Sequence, residues 1–317
     1  QIMSNHLQRL LVAVVGIPLI VILCLAGGVY FFLFVAILSA FALHEFYKLA
    51  EKKNLKPSIS LGILAGFVLN LSFYYLPVRE SVVSFAASVG VGIPYPTQTQ
   101  LVFMIILIFI FVILIYELFR NRGSVLLNAS TTIFGILYIS LFLGTVIGLR
   151  ELFVPFDFPV SRYFSSPSSF TDPQVAAIVY RWGGYTIIAI FATIWICDSA
   201  AYYIGSAMGK HKLFPRVSPN KSWEGAIGGF IFSILAAITA KYVALEYLSV
   251  GNALVIGVIV GVFGQIGDLV ESALKRDAGV KDSSTLLPGH GGVLDRFDSL
   301  LFVAPLIYFY LDYIVFS

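Results

Sequence analysis

Charge is what this sequence has least of. Asp, Glu, Lys and Arg make up 12% of its 317 residues, about half the roughly 25% usual in a soluble globular domain. Hydrophobic residues fill 59% of the chain and the mean hydropathy is +0.92. The apolar runs recur from one end to the other, so no stretch remains for a separate water-soluble domain of about 100 residues. Cysteine is also scarce: Cys24 and Cys197 both lie within apolar runs, without neighbouring His or Cys, which excludes a disulfide framework and a thiolate zinc centre. A formal charge of +3 is too small to suggest nucleic acid as a partner. Absent too are an activated Ser or Cys constellation, a dinucleotide-binding glycine fingerprint and a Gly-Lys-Ser/Thr phosphate loop. No fixed-period repeat is visible, which counts against an inverted-repeat transporter.

What the sequence does have is membrane-length apolar segments. A spanning helix needs about 20 mostly apolar residues, and the sequence predicts spans near 9–27, 29–49, 58–76, 100–118, 129–149, 178–203, 223–247, 252–274 and 299–316. The expected fold is an all-α integral membrane protein, a polytopic bundle of about nine transmembrane helices forming one integrated domain. Residues 1–150 would supply about five spans as scaffold, dimer contact and lipid access, and 151–317 about four spans with the catalytic loops. Pro77 is expected to close the third span, and Val179-Tyr180-Arg181-Trp182 gives the sixth an interfacial start. No small-residue cleavage site follows the first run, so it is expected to be retained.

The cations set the orientation. Arg9, Lys48, Lys52, Lys53, Lys56, Arg120, Arg122, Lys210, Lys212, Arg216, Lys221, Lys275, Arg276, Lys281 and Arg296 fall on one side, fifteen of the 20 Lys and Arg. The positive-inside rule then predicts a cytoplasmic N-terminus, an outer C-terminus and location in the cell (inner) membrane. The outer loops, about 77–99 and 150–177, lack clustered ionisable groups and read as scaffold.

Polar residues gather at the cytoplasmic ends of the later spans. Asp198 sits among apolar residues near a helix end, where a carboxylate must be paired, solvated or metal-bound. It is a functional candidate or a helix-end partner of Lys221 or Arg216. Ser218-Pro219-Asn220-Lys221-Ser222 reads as a turn into the seventh span, with Ser222 as N-cap and Glu224 in the first turn. Free N–H groups there, with Arg216 and Lys221, suit phosphate; Lys210 and Lys212 are better read as topology signals.

Asp268, Glu271, Ser272 and Lys275 stand at i, i+3, i+4 and i+7, one stripe of a helix. Asp295 and Asp298, at i and i+3, again share a face. Opposed carboxylates at two helix ends form an oxygen-only donor set suited to magnesium or manganese. Gly289, Gly291 and Gly292 allow close backbone approach to phosphate, and His290 between acidic helix ends reads as a site residue. The residues alone thus point to a metal-assisted reaction on a phosphorylated substrate at the cytoplasmic face.

Ser272, Lys275, Arg276, Lys281, Asp282, Ser284, Leu287, Pro288, His290, Gly291, Gly292, Asp295, Arg296 and Asp298 together resemble the signature of the phosphatidate cytidylyltransferase (CDP-diacylglycerol synthase) family. Asp198-Ser199, Ala201-Tyr202 and 218–225 are similar to that family too, so the resemblance covers roughly 194–305. Among the first 150 residues only Glu45 offers a match, a weak one. The longer outer loops and the start at Gln1 depart from the family without touching the site.

The resemblance implies transfer of CMP from CTP to phosphatidate, with magnesium or manganese as cofactor, room for a second cation, and a homodimer. It implies Asp268 and Asp295 as metal ligands with Asp298 and Asp198 lining the pocket, and Lys275 and His290 beside them at the reacting groups. Arg216, Ser218, Lys221, Ser222, Glu224, Arg276, Lys281, Asp282, Gly291, Gly292 and Arg296 would surround the substrates. Two other readings stay open: CTP-dependent transfer to another lipid phosphate, and ion or substrate transport. Transport would place the ionisable groups nearer the bilayer midplane.

Overall fold

Long apolar runs without water to satisfy the backbone must close their hydrogen bonds internally, and here they do so as helices. The computed structural model describes residues 5–92, 94–154, 158–164, 172–286 and 291–317. In chain order the helices are α1 (Asn5–Ala26), α2 (Gly28–Lys52), α3 (Ile59–Phe73), α4 (Tyr75–Ser88) and α5 (Gln98–Arg120). They are followed by α6 (Val125–Glu151), the short α7 (Val160–Tyr163) and α8 (Pro173–Met208). A two-stranded hairpin, β1 (Lys212–Phe214) with β2 (Ser218–Ser222), precedes α9 (Trp223–Val243), α10 (Val250–Asp277) and α11 (Leu294–Val315).

Among the described residues, 7 helices are long and apolar enough to cross a membrane, 8 if a bent pair crosses as one. The first predicted span holds a shorter apolar stretch, Val14–Ala26. The bent pair is α3 with α4, which meet at Tyr74 at 89°. Pro77, expected to end a span, instead lies in the first turn of α4, where its missing N–H costs no helical hydrogen bond. Much of the expected outer loop at 77–99 is therefore helix, up to Ser88. The other departure is at 218–222, expected as a turn: it is strand β2, antiparallel to β1 with an irregularity between Lys212 and Phe214.

The chain divides into two compact units, 29–148 and 1–28 with 149–317. In the 29–148 unit, Ala65, Leu69, Ile105, Ile113, Ala129 and Ile136 form a core between α3, α5 and α6. One end of that unit is fastened by buried polar groups. Glu117 accepts from Ser58 Oγ at 2.9 Å and from Arg120 at 2.7 Å, and Asn128 Oδ1 accepts from the Lys56 amide at 2.8 Å. The buried network is paired at both charges, as a low-dielectric interior demands.

In the other unit, α8 packs along α9, and α10 along α11. At 36 residues, α8 is about 54 Å long against about 30 Å of hydrocarbon, so its ends project beyond the membrane core. Gly267 lets α10 approach α11: a Cβ there would lie 2.6 Å from the Asp298 carbonyl oxygen. Cys24 and Cys197 are buried free thiols, the expected role of small hydrophobes.

Candidate functional site

The four-residue rhythm at the end of α10 turns one stripe of an apolar helix polar. Asp268 Oδ2 lies 2.7 Å from Lys221 Nζ, while Ser272 Oγ donates to Asp268 Oδ1 at 3.2 Å. One turn on, Glu271 Oε2 lies 2.6 Å from Lys275 Nζ, which also donates to Asp295 Oδ1 at 2.6 Å. Lys275 thereby joins α10 to α11 through one ammonium held between two carboxylates. The pair side chains are 11% exposed for Lys275, 0% for Glu271 and 4% for Asp295, so this contact is nearly dry.

Asp295, in the first turn of α11, also organises the signature loop. Its Oδ2 accepts from the Ser283 amide at 3.0 Å, Ser283 Oγ at 2.9 Å and the Gly292 amide at 2.7 Å. Both flanks of 287–290 are thus tied to one carboxylate. Gly291 between them has φ +83°, and a Cβ there would lie 2.7 Å from Asp295 Oδ2. Only glycine satisfies both that backbone and that approach.

A second set of charges meets beside this latch. Asp198, near the end of α8, feels the charges of Asp268, Lys221 and Arg296, and Asp298 feels those of Asp268, Asp198 and Lys275. The structure therefore brings Asp198, Lys221, Asp268, Asp298 and Arg296 into one neighbourhood, with Lys275 linking it to Glu271 and Asp295.

The hairpin supplies the basic wall. Ser222 caps α9 by accepting from the Gly225 amide at 3.2 Å, as its position before the helix demands. Arg276 donates to the Val217 carbonyl at 3.4 Å and the Val280 carbonyl at 3.0 Å, fastening the end of α10 to the hairpin. Arg216 is exposed at the hairpin and Ser218 half-buried on β2; Lys281 and Asp282 lie exposed in the loop after α10. Glu224, expected at the substrate, is engaged by His211. Their side chains meet at 2.6 Å, and the His211 amide donates to both carboxylate oxygens at 3.2 Å. His290 lies outside the described residues. Glu45 is buried in the 29–148 unit.

Glu271, on the predicted stripe but given no role there, pairs with Lys275, while Ser283 and His211 are partners that the sequence pattern does not mark. The i, i+4 spacing of Glu271 and Lys275 carried a signal for the first. For Ser283, twelve residues from Asp295, and His211, thirteen from Glu224, no local periodicity points across the gap.

Among the described residues, no three His, Cys, Asp or Glu side chains are already grouped as a metal cage. The donor chemistry nonetheless fits a hard divalent cation. Asp198, Asp268, Glu271, Asp295 and Asp298 outnumber the cations interleaved with them, Lys221, Lys275 and Arg296. Glu271 Oε1 is buried with no hydrogen-bond partner. An oxygen-only donor set of this kind is chemically compatible with magnesium or manganese rather than with zinc.

The profile of the cytidylyltransferase family matches residues 7–314. The chain belongs to that family. The match runs across both compact units, so helices with no recognisable motif are as much a part of the family as the signature. The chain is 50% identical over 125 residues to a phosphatidate cytidylyltransferase of Staphylococcus haemolyticus, 39% of this chain and 48% of that protein. It is 49% identical over 131 residues to the Bacillus subtilis protein of the same name, 41% of this chain and 49% of the relative. The chain thus spans about half the length of the curated relatives it matches.

Proposed function

We propose that this membrane protein transfers CMP from CTP to phosphatidate, releasing pyrophosphate and forming CDP-diacylglycerol. The observation that carries the proposal is a charged cluster at the ends of α10 and α11, with Lys221 on Asp268 and Lys275 between Glu271 and Asp295. Relatives named phosphatidate cytidylyltransferase support the choice of substrates.

An oxygen of the lipid phosphate attacks the α-phosphorus of CTP, the bond to the β-phosphate breaks, and pyrophosphate departs with the electron pair. A phosphate monoester with a second pKa of about 6 is already mostly dianionic at neutral pH, so no strong general base is needed. The protein's work is alignment and charge neutralisation. Lys221, Arg216, Arg276 and Arg296 hold phosphate oxygens. Lys275 keeps the ends of α10 and α11 in register, and Asp295 shapes the loop that approaches the nucleotide. Asp268, Asp295 and Asp298, with Asp198 beside them, are the residues proposed to hold Mg2+ or Mn2+, which when bound neutralises the triphosphate and the leaving pyrophosphate.

The distribution of basic residues supports a site on the cytoplasmic face of the cell (inner) membrane, where soluble CTP would meet a lipid headgroup, and a homodimer is the proposed assembly. The test is to incubate purified protein with CTP, magnesium and defined lipid phosphates in mixed micelles and weigh the products. Phosphatidate should yield CDP-diacylglycerol. Product only from a polyprenyl or ether-lipid phosphate would move the acceptor, and no cytidylylated lipid from any would overturn the proposal.

A further inference from the structure

The start of the hairpin that carries Arg216 and Lys221 is tied across to the first turn of α9 through His211. The His211 side chain meets Glu224 Oε1 at 2.6 Å, the His211 amide donates to both carboxylate oxygens at 3.2 Å, and the Trp223 amide donates back to the His211 carbonyl at 2.9 Å. The residues thus joined frame both strands, β1 starting at Lys212 and β2 ending at Ser222. Glu224 sits in the first turn of α9, where the helix dipole favours an anion. Lys221, two residues before Trp223, reaches Asp268 at 2.7 Å.

We infer that His211 and Glu224 are positioning residues: together they clamp the hairpin so that Lys221 is presented at Asp268, and Glu224 does not itself contact substrate. This rests on the proposed cytidylyl transfer. Both oxygens of Glu224 accept from the His211 amide, so a substrate donor would have to compete with the clamp for them. The His211 side chain is 78% exposed and that of Glu224 25%. A pair that open to water adds little to global stability, so its loss leaves the fold intact and acts on the hairpin alone.

The test is a double-mutant cycle. Glu224→Ala should lower kcat/KM for CTP about tenfold, mostly through KM; His211→Ala, which keeps its backbone amide on Glu224, should lose less, and the double variant should be no worse than Glu224→Ala. Glu224→Gln, which still accepts from the His211 amide, should recover to within about twofold of wild type. Hydrogen exchange without substrate should show amides of 212–222 exchanging about tenfold faster in Glu224→Ala, with a smaller rise in His211→Ala. Independent, multiplying losses, or a Glu224→Gln variant as damaged as Glu224→Ala, would overturn the inference and return Glu224 to the substrate. Unchanged exchange in the hairpin would also overturn it. If wild type fails to turn over CTP, the proposed function fails, while the exchange experiment still decides the clamp.

Discussion

Replacing Lys275 by Met is the sharpest perturbation the cluster offers. Its ammonium lies 2.6 Å from Glu271 Oε2 and 2.6 Å from Asp295 Oδ1, with all three side chains between 0% and 11% exposed. Removing it leaves two carboxylates facing each other almost without water, and breaking a buried pair from one side costs about 3–5 kcal/mol. By contrast, Lys221 and Asp268 are 27% and 34% exposed, so Lys221→Met should cost no more than about 1 kcal/mol. Equilibrium unfolding in mixed micelles, titrated with SDS, separates the two. Lys275→Met should unfold far earlier than Lys221→Met, and Glu271→Gln added to Lys275→Met should recover part of the loss, because one of the opposed charges is gone. Equal, small effects of the two lysine substitutions would refute the claim that Lys275 is a buried link between α10 and α11.

Other outcomes follow from single contacts. Gly291→Ala must place a Cβ against Asp295 Oδ2 at φ +83°, and should lower kcat by more than tenfold with a destabilisation of about 1–3 kcal/mol, read by the same unfolding titration. Ser222→Ala removes the N-cap of α9 and should cost about 1 kcal/mol; no change in the unfolding midpoint would contradict the cap. Glu117→Ala strips Arg120, Ser58 and Asn128 of their shared acceptor in the 29–148 unit and should cost about 3 kcal/mol. For sidedness, Ser284→Cys should resist a membrane-impermeant thiol reagent in intact cells while Ser88→Cys labels. The native cysteines are buried and add little background. The reverse pattern would invert the topology.

The helices were legible because membrane burial writes itself into composition: apolar runs of span length gave α2, α5, α6 and α8 to α11 within a few residues. The bend at Tyr74 was not, since apolar residues continue through it and the proline that attracted attention lies in the following turn. The hairpin strands, 3 and 5 residues long, are too short for an alternating pattern to emerge. Within the site, the stripe from Asp268 to Lys275 was visible because helical spacing is fixed. Ser283 on Asp295 and His211 on Glu224 were not, because both are brought together by loop closure, which depends on tertiary packing rather than on period. Asp295 illustrates the limit: its place on a helix face was readable, while its service to three loop donors required the fold.

The central claim is that the bond broken in CTP lies between the α- and β-phosphates and that the lipid takes the CMP. Two parallel reactions of the purified protein with phosphatidate and magnesium decide it, one with CTP labelled at the α-phosphate and one with CTP labelled at the γ-phosphate. The α-label should pass into the lipid phase and the γ-label into aqueous pyrophosphate, and both transfers should vanish in Asp268→Asn. Label from the γ-phosphate in the lipid, or no lipid label from either CTP, would contradict it.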